Sequence, residues 1–226
     1  MIALASFMAL LPSLGCDGGN TSPPRADQMR LPELHVGDTW TWVSQDAYPA
    51  KVTYQVTGQD EVEGHPCYVI QISMIPSPPG MVGKQTMFLS QGNLEIMRVQ
   101  SRWELDDGSI GEETSTFSYS TTQPRYPLYV GKTWEVTKIE EDVASWRGGP
   151  LTFETSSRYE VERREGITVA AGSFRCFKVV RYDHGSDRPS AIAWLAPQTK
   201  CFPVRWEDRD EAGNVVELAS YTLPGD

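Results

Sequence analysis

The sequence predicts an all-β protein made of two tandem antiparallel meanders. Three observations carry that expectation. First, the local hydrophobic period is two. Val52, Tyr54 and Val56 alternate with Thr53, Gln55 and Thr57, and Tyr159 and Val161 alternate with Arg158, Glu160 and Glu162. Val36, Trp40 and Trp42 fall on one face, with Thr39 and Thr41 on the other. Such alternation marks half-buried antiparallel strands. Second, Gly and Pro punctuate the segments, and Gly64-His65-Pro66, Asp107-Gly108 and Gly213-Asn214 read as hairpin turns. Third, the chain repeats itself. Leu34-His35-Val36-Gly37-Asp38-Thr39-Trp40 matches Leu128-Tyr129-Val130-Gly131-Lys132-Thr133-Trp134, displaced by 94 residues.

The match continues in the same order. Tyr54-Gln55-Val56 corresponds to Tyr159-Glu160-Val161, and Cys67-Tyr68-Val69-Ile70 to Cys176-Phe177-Lys178-Val179. Phe88-Leu89-Ser90 corresponds to Trp194-Leu195-Ala196, and Thr116-Phe117-Ser118-Tyr119 loosely to Leu218-Ala219-Ser220-Tyr221. Order retained across five segments argues for duplication. The repeats are placed at residues 31–125 and 126–226. About five or six strands per repeat would not stay flat; they would curl into a barrel-like sheet or split into two packed sheets.

The segments before the repeats give an address. Residues 1–15, MIALASFMALLPSLG, carry no charge, and the apolar run is too short to span a bilayer but suits the core of a signal peptide. Gly15-Cys16 resembles the lipobox of bacterial lipoproteins, with Ser13 where Leu is usual. That resemblance implies lipidation of Cys16 and attachment to a membrane through two or more acyl chains. Residues 16–30 are rich in Gly, Pro, Ser and Asp and read as a flexible tether with a span of roughly 20 Å.

A wider resemblance rests on three motifs. The V-G-x-T-W segments, Ala171-Gly172-Ser173-Phe174-Arg175-Cys176-Phe177-Lys178-Val179 and Trp194-Leu195-Ala196-Pro197 look like a family of uncharacterised secreted or lipid-anchored bacterial β-proteins. The second repeat carries most of the likeness, and Lys200-Cys201 stands where the family tends to have Gly. The family has no settled activity, so it implies no catalytic residue. The strand order is also broadly similar to half-barrel lipoprotein carriers, at the level of fold alone.

Candidate chemistry is sparse. Outside the cytoplasm thiols tend to pair, and Cys176 and Cys201 fall on segments expected to be neighbours. A bridge there would add about 3 kcal/mol; reduced thiols and other pairings with Cys67 remain open. His35, His65 and His184 are widely separated and match no zinc spacing. Asp183-His184-Gly185-Ser186-Asp187 reads as a polar hairpin loop. The acidic clusters at 106–113 and 207–211 read as solvated hairpin tips, because the second breaks the calcium-loop pattern. Gly131-Lys132-Thr133 lacks the earlier Gly of a phosphate-binding loop, and Gly108-Ser109-Ile110-Gly111 has the wrong spacing for a nucleophile elbow. Of the seven Trp, Trp40, Trp42, Trp134 and Trp194 are assigned to the core, while Trp103, Trp146 and Trp206 sit among charges and are not.

Charge narrows the function. The 226 residues hold 20 Lys and Arg against 30 Asp and Glu, a net charge of −10, which disfavours nucleic acid. Residues 31–125 carry a net −7 and residues 126–226 a net −3. An acidic first repeat is suited to pointing away from anionic lipid heads or meeting a basic partner. The expectation is a lipid-anchored envelope protein, a non-enzymatic binding or scaffold module with no cofactor, whose partner is an unknown protein. The alternatives are a carrier of an apolar ligand or lipid in a half-barrel cavity, and a hydrolase without a recognisable motif.

Overall fold

Twelve antiparallel strands, each hydrogen-bonded to its neighbours in sequence, close into a barrel when the first pairs with the last. The computed structural model describes residues 27–44, 51–200, 202–209 and 214–224. The signal segment, Cys16, most of the expected tether, Cys201 and Gly213 lie outside the described residues. The strands are β1 (Thr39–Ser44), β2 (Lys51–Val62), β3 (His65–Ile75), β4 (Gln85–Ser90), β5 (Ile96–Glu104) and β6 (Ile110–Thr121). Then come β7 (Thr133–Ala144), β8 (Leu151–Val169), β9 (Gly172–Asp183), β10 (Pro189–Leu195), β11 (Pro203–Asp208) and β12 (Val215–Thr222). Among the described residues the one helical element is a 3-10 turn, Pro197–Thr199.

Backbone hydrogen bonds recur at matching places in the two six-strand halves. Gly37 N–H donates to the Val56 carbonyl at 2.8 Å, and Gly131 N–H to the Val161 carbonyl at 2.8 Å. Val56 N–H donates to the Asp38 carbonyl at 2.9 Å, and Val161 N–H to the Lys132 carbonyl at 2.8 Å. Gly37 and Gly131 have φ of +100° and +85°, which explains why Gly stands in both V-G-x-T-W turns. Trp40 lies opposite Tyr54, as Trp134 lies opposite Tyr159. Bulges recur at Val56/Gly58 and Val161/Arg163, and at Phe88/Leu89 and Trp194/Leu195. Only the loosest sequence match fails. Tyr221 lies opposite Trp40, whereas Tyr119 lies opposite Lys138, four residues beyond Trp134.

Two apolar clusters form the core, and the first also draws in Val180, Trp194 and Phe202 of the second half. In the first, Leu34, Trp40, Tyr54, Val56, Tyr68, Ile70 and Leu89 pack together; in the second, Leu128, Trp134, Tyr159, Val161, Phe177, Val179 and Leu195 take the equivalent places. Full burial of one such side chain stabilises by about 1.5–3 kcal/mol. Aromatic contacts lie within each cluster: Trp40 stacks on Phe202 with centroids 4.0 Å apart, and Trp134 stacks on Tyr159 at 5.2 Å.

Four expectations change. Val36 does not share the Trp40 face; it lies in the turn before β1 and is exposed, because the strand starts only at Thr39. Trp206 is buried in the second core despite its charged neighbours, since β11 turns one face inward. Asp208, read as part of a solvated tip, is also buried. Finally, the folded part begins before residue 31: Met29 is buried, and its N–H and carbonyl bond the carbonyl and N–H of Leu128 at 2.9 and 2.8 Å.

Candidate functional site

The halves differ most in their first hairpin. Trp40 and Tyr54 are 14 residues apart, whereas Trp134 and Tyr159 are 25 apart, so the second half carries an insertion of 11. The insertion lengthens β7 and β8 into an arm. Its register is continuous, from Thr133 opposite Glu160 to Asp142 opposite Leu151. β6 supports it, with Glu113 opposite Ala144. The 12 residues of β7 rise about 40 Å in all. They start beside the Met29–Leu128 bridge and end at the hairpin tip, so the tip and the amino-terminal segment lie at opposite ends of the strand.

This arm exposes apolar side chains. Ile139, Val143, Trp146, Leu151 and Phe153 are each 40–49% exposed. Isolated exposed apolar residues are ordinary; here five fall on one short arm. Acids accompany them: Glu140, Glu141 and Asp142 on β7 and Glu154 on β8. Lys138 pairs with Glu140 at 2.7 Å and lies over the Phe117 ring.

The tip is clamped rather than loose. Ser145 N–H donates to the Glu112 carbonyl at 2.8 Å, and Glu112 N–H returns to Ser145 Oγ at 2.9 Å. Arg147 pairs with Glu113 at 3.1 Å, and the same carboxylate accepts the Trp103 indole N–H at 3.0 Å. Trp146 lies against Gly111, where a Cβ would collide with its ring carbons Cε3 and Cζ3. Gly111→Ala is therefore expected to push the indole off the sheet. We expect a red-shifted tryptophan emission and a loss of about 1 kcal/mol in urea unfolding; an unchanged spectrum would place Trp146 elsewhere.

Two buried polar groups occupy equivalent places in the halves. At one, Asp38 Oδ2 accepts from Lys200 Nζ at 3.1 Å and from His35 N–H at 2.8 Å, and Lys200 Nζ lies 3.0 Å from His35 Nδ1. At the other, Lys132 stands where Asp38 does, and its Nζ donates to the Pro127 carbonyl at 3.0 Å. Burial, then the Arg125 charge, pushes Lys132 down to about 8. Burial likewise pushes Glu95 up to about 8, against the Asn93 side chain and the Arg125 charge. Arg125 itself is buried against the Tyr126 ring, and its Nε and Nη1 have no hydrogen-bond partner among the described residues.

The remaining sequence candidates are scattered. Cys67 and Cys176 take equivalent places on β3 and β9, buried and without a disulfide partner among the described residues, and burial pushes Cys176 up to about 12. Cys201, its expected partner, lies outside the described residues. His35 joins the Asp38 group, His65 opens β3, and His184 lies in the turn between β9 and β10. Among the described residues no three His, Cys, Asp or Glu side chains gather as a metal-binding group. Asp107 caps its own turn through Ser109, at 2.9 Å to the N–H and 2.6 Å to Oγ, which holds its carboxyl below the usual range.

No protein-family model matches the chain, and no curated protein matches it. Two solved structures are similar. One is a Bacteroides fragilis protein named as exported and as having a YmcC-like fold, with 13% identity, 86% of this chain and 99% of that chain covered, and a TM-score of 0.45. The other is from Parabacteroides distasonis and named as a lipoprotein, with 11% identity, 87% and 100% covered, and a TM-score of 0.37. At TM-scores below 0.5 neither defines what this chain does.

Proposed function

We propose that this protein is a lipid-anchored module of the bacterial envelope that binds another protein through the β7–β8 arm and performs no chemistry of its own. The observation that carries the docking role is the 11-residue insertion, which places exposed apolar side chains on a clamped arm at the far end of β7 from the amino-terminal segment. The uncharged leader, Gly15-Cys16 and the polar stretch after it support the anchor. The likeness of V-G-x-T-W, A-G-x-F and W-x-A-P to secreted and lipid-anchored β-proteins supports the same address. Enclosure of an apolar ligand is the weaker reading, since Trp40, Trp42, Trp134, Phe177 and Phe202 occupy the interior as fully buried side chains.

The test replaces Trp146, Leu151 and Phe153 together by serine in the full chain. Because these side chains are exposed, the variant is expected to keep its thermal unfolding within a few degrees. Solubilised membranes run on a native gel should show wild type in an assembly larger than the monomer, and the triple variant as the monomer. Wild type running as the monomer would contradict the docking role. Cys16→Ala should move the protein from the membrane to the soluble fraction; retention on the membrane would remove the anchor.

A further inference from the structure

We propose that the outer edge of β8, Leu151 to Thr155, takes an extended partner segment in which apolar and basic residues alternate, added as a thirteenth strand. This deepens the docking reading and rests on it. The barrel is closed lower down, but the β7–β8 arm overtops its neighbour. β8 pairs with β7 up to Leu151, whereas its pairing with β9 begins only at Ser157 opposite Asp183. The last backbone bond on that side runs from His184 N–H to the Ser156 carbonyl, at 3.0 Å. No described strand pairs with Leu151, Thr152, Phe153, Glu154 and Thr155 on the β9 side, and all five are exposed. A strand edge carries N–H and C=O groups that an added strand can bond.

The side chains set what such a strand must look like. Residues directly opposite in an antiparallel pair share a face. Leu151 and Phe153 therefore share one face with Asp142 and Glu140, and Glu140 is already paired with Lys138. Thr152 and Glu154 share the other face with Glu141 and Ile139. No described cation lies within ion-pair distance of Glu141 or Glu154. At the edge an added strand thus meets Leu151 and Phe153 on one face, with Asp142 and the paired Glu140 behind them on β7, and Glu154 on the other, with Glu141 behind it. Apolar residues fit the first face and Lys or Arg the second. A second copy of this chain fits poorly. Antiparallel self-pairing about Phe153 would bring the two Glu154 side chains into diagonal contact on one face, and the chain carries a net −10.

The experiment uses the detergent-solubilised full chain and three capped nine-residue peptides: alternating valine and lysine, alternating valine and glutamate, and a blocked sequence with the composition of the first. Amide hydrogen exchange reads the edge directly. The alternating lysine peptide should slow exchange at Leu151–Thr155 at least tenfold, and the other two should not. Glu154→Lys should reverse the preference toward the glutamate peptide; if that variant unfolds, Glu141→Lys makes the same test from β7. Protection at this edge by all peptides alike, or by none, overturns the proposal. Concentration-dependent protection without peptide overturns it too, in favour of a second copy. If the native-gel assembly persists while the lysine peptide fails, the docking arm stands and the strand chemistry falls.

Discussion

Asp38→Ala is expected to destabilise the protein by about 3–5 kcal/mol, because it leaves the Lys200 ammonium buried without its carboxylate. Asp38 is fully buried, and only 7% of the Lys200 side chain is exposed. The two come from opposite ends of the chain, Asp38 from the turn before β1 and Lys200 from the loop before β11, so their contact ties the first half to the second. Removing the charge from both partners should behave differently. Asp38→Asn with Lys200→Met keeps an acceptor for the His35 N–H, at 2.8 Å in the wild type, and removes the buried ions. It should lie within about 1–2 kcal/mol of wild type, since a buried ion pair often contributes little over neutral replacements. Urea unfolding of the two single variants and the double variant measures this; simple additivity of the single effects would mean that the pair is not coupled.

Glu95→Gln should make the protein more stable than wild type above pH 8, by an amount that vanishes near pH 4.5. Burial raises the Glu95 carboxyl from an ordinary 4.5 to about 8. Below 4.5 both the folded and unfolded chains hold the proton, and the favourable burial of the neutral acid is fully present. As pH rises from 4.5 to about 8 the unfolded chain ionises and the folded chain does not. Stability then falls by at most about 1.4 kcal/mol per pH unit from this one group. Above 8 both are ionised and the loss is complete. Glutamine escapes this cost while leaving the Glu95 backbone bond to Asn93, N–H to Oδ1 at 3.0 Å, in place. Unfolding midpoints of the two proteins at pH 4.5, 7 and 9 should diverge; parallel curves would show that Glu95 ionises freely in the folded protein.

The matching turn and strand positions were legible in the sequence for a physical reason. Trp40 and Trp134, Tyr54 and Tyr159, and Gly37 and Gly131 each sit where burial or a positive φ tolerates few alternatives. Such positions leave a pattern that one chain compared with itself reveals. Tyr119 and Tyr221 misled because a half-exposed strand end holds aromatic residues without fixing their register. The arm was legible as β structure but not as a surface. In Ile139-Glu140-Glu141-Asp142-Val143, acidic residues fall on both faces, so alternation does not say which side is covered. Only the longer spacing between Trp134 and Tyr159 gave a signal, and it needed the repeat as a ruler. The buried Asp38–Lys200 contact spans 162 residues and has no local signature at all.

Docking through the arm is the claim on which the function turns, and cross-linking in intact cells tests it most directly. A photoreactive residue at Phe153 in the full, anchored chain, with a control at the exposed Arg175 on β9, compares the arm with another exposed strand of the barrel. A single discrete adduct at position 153 and none at 175 is the predicted result. No adduct at 153, or the same diffuse adducts at both positions, would contradict it.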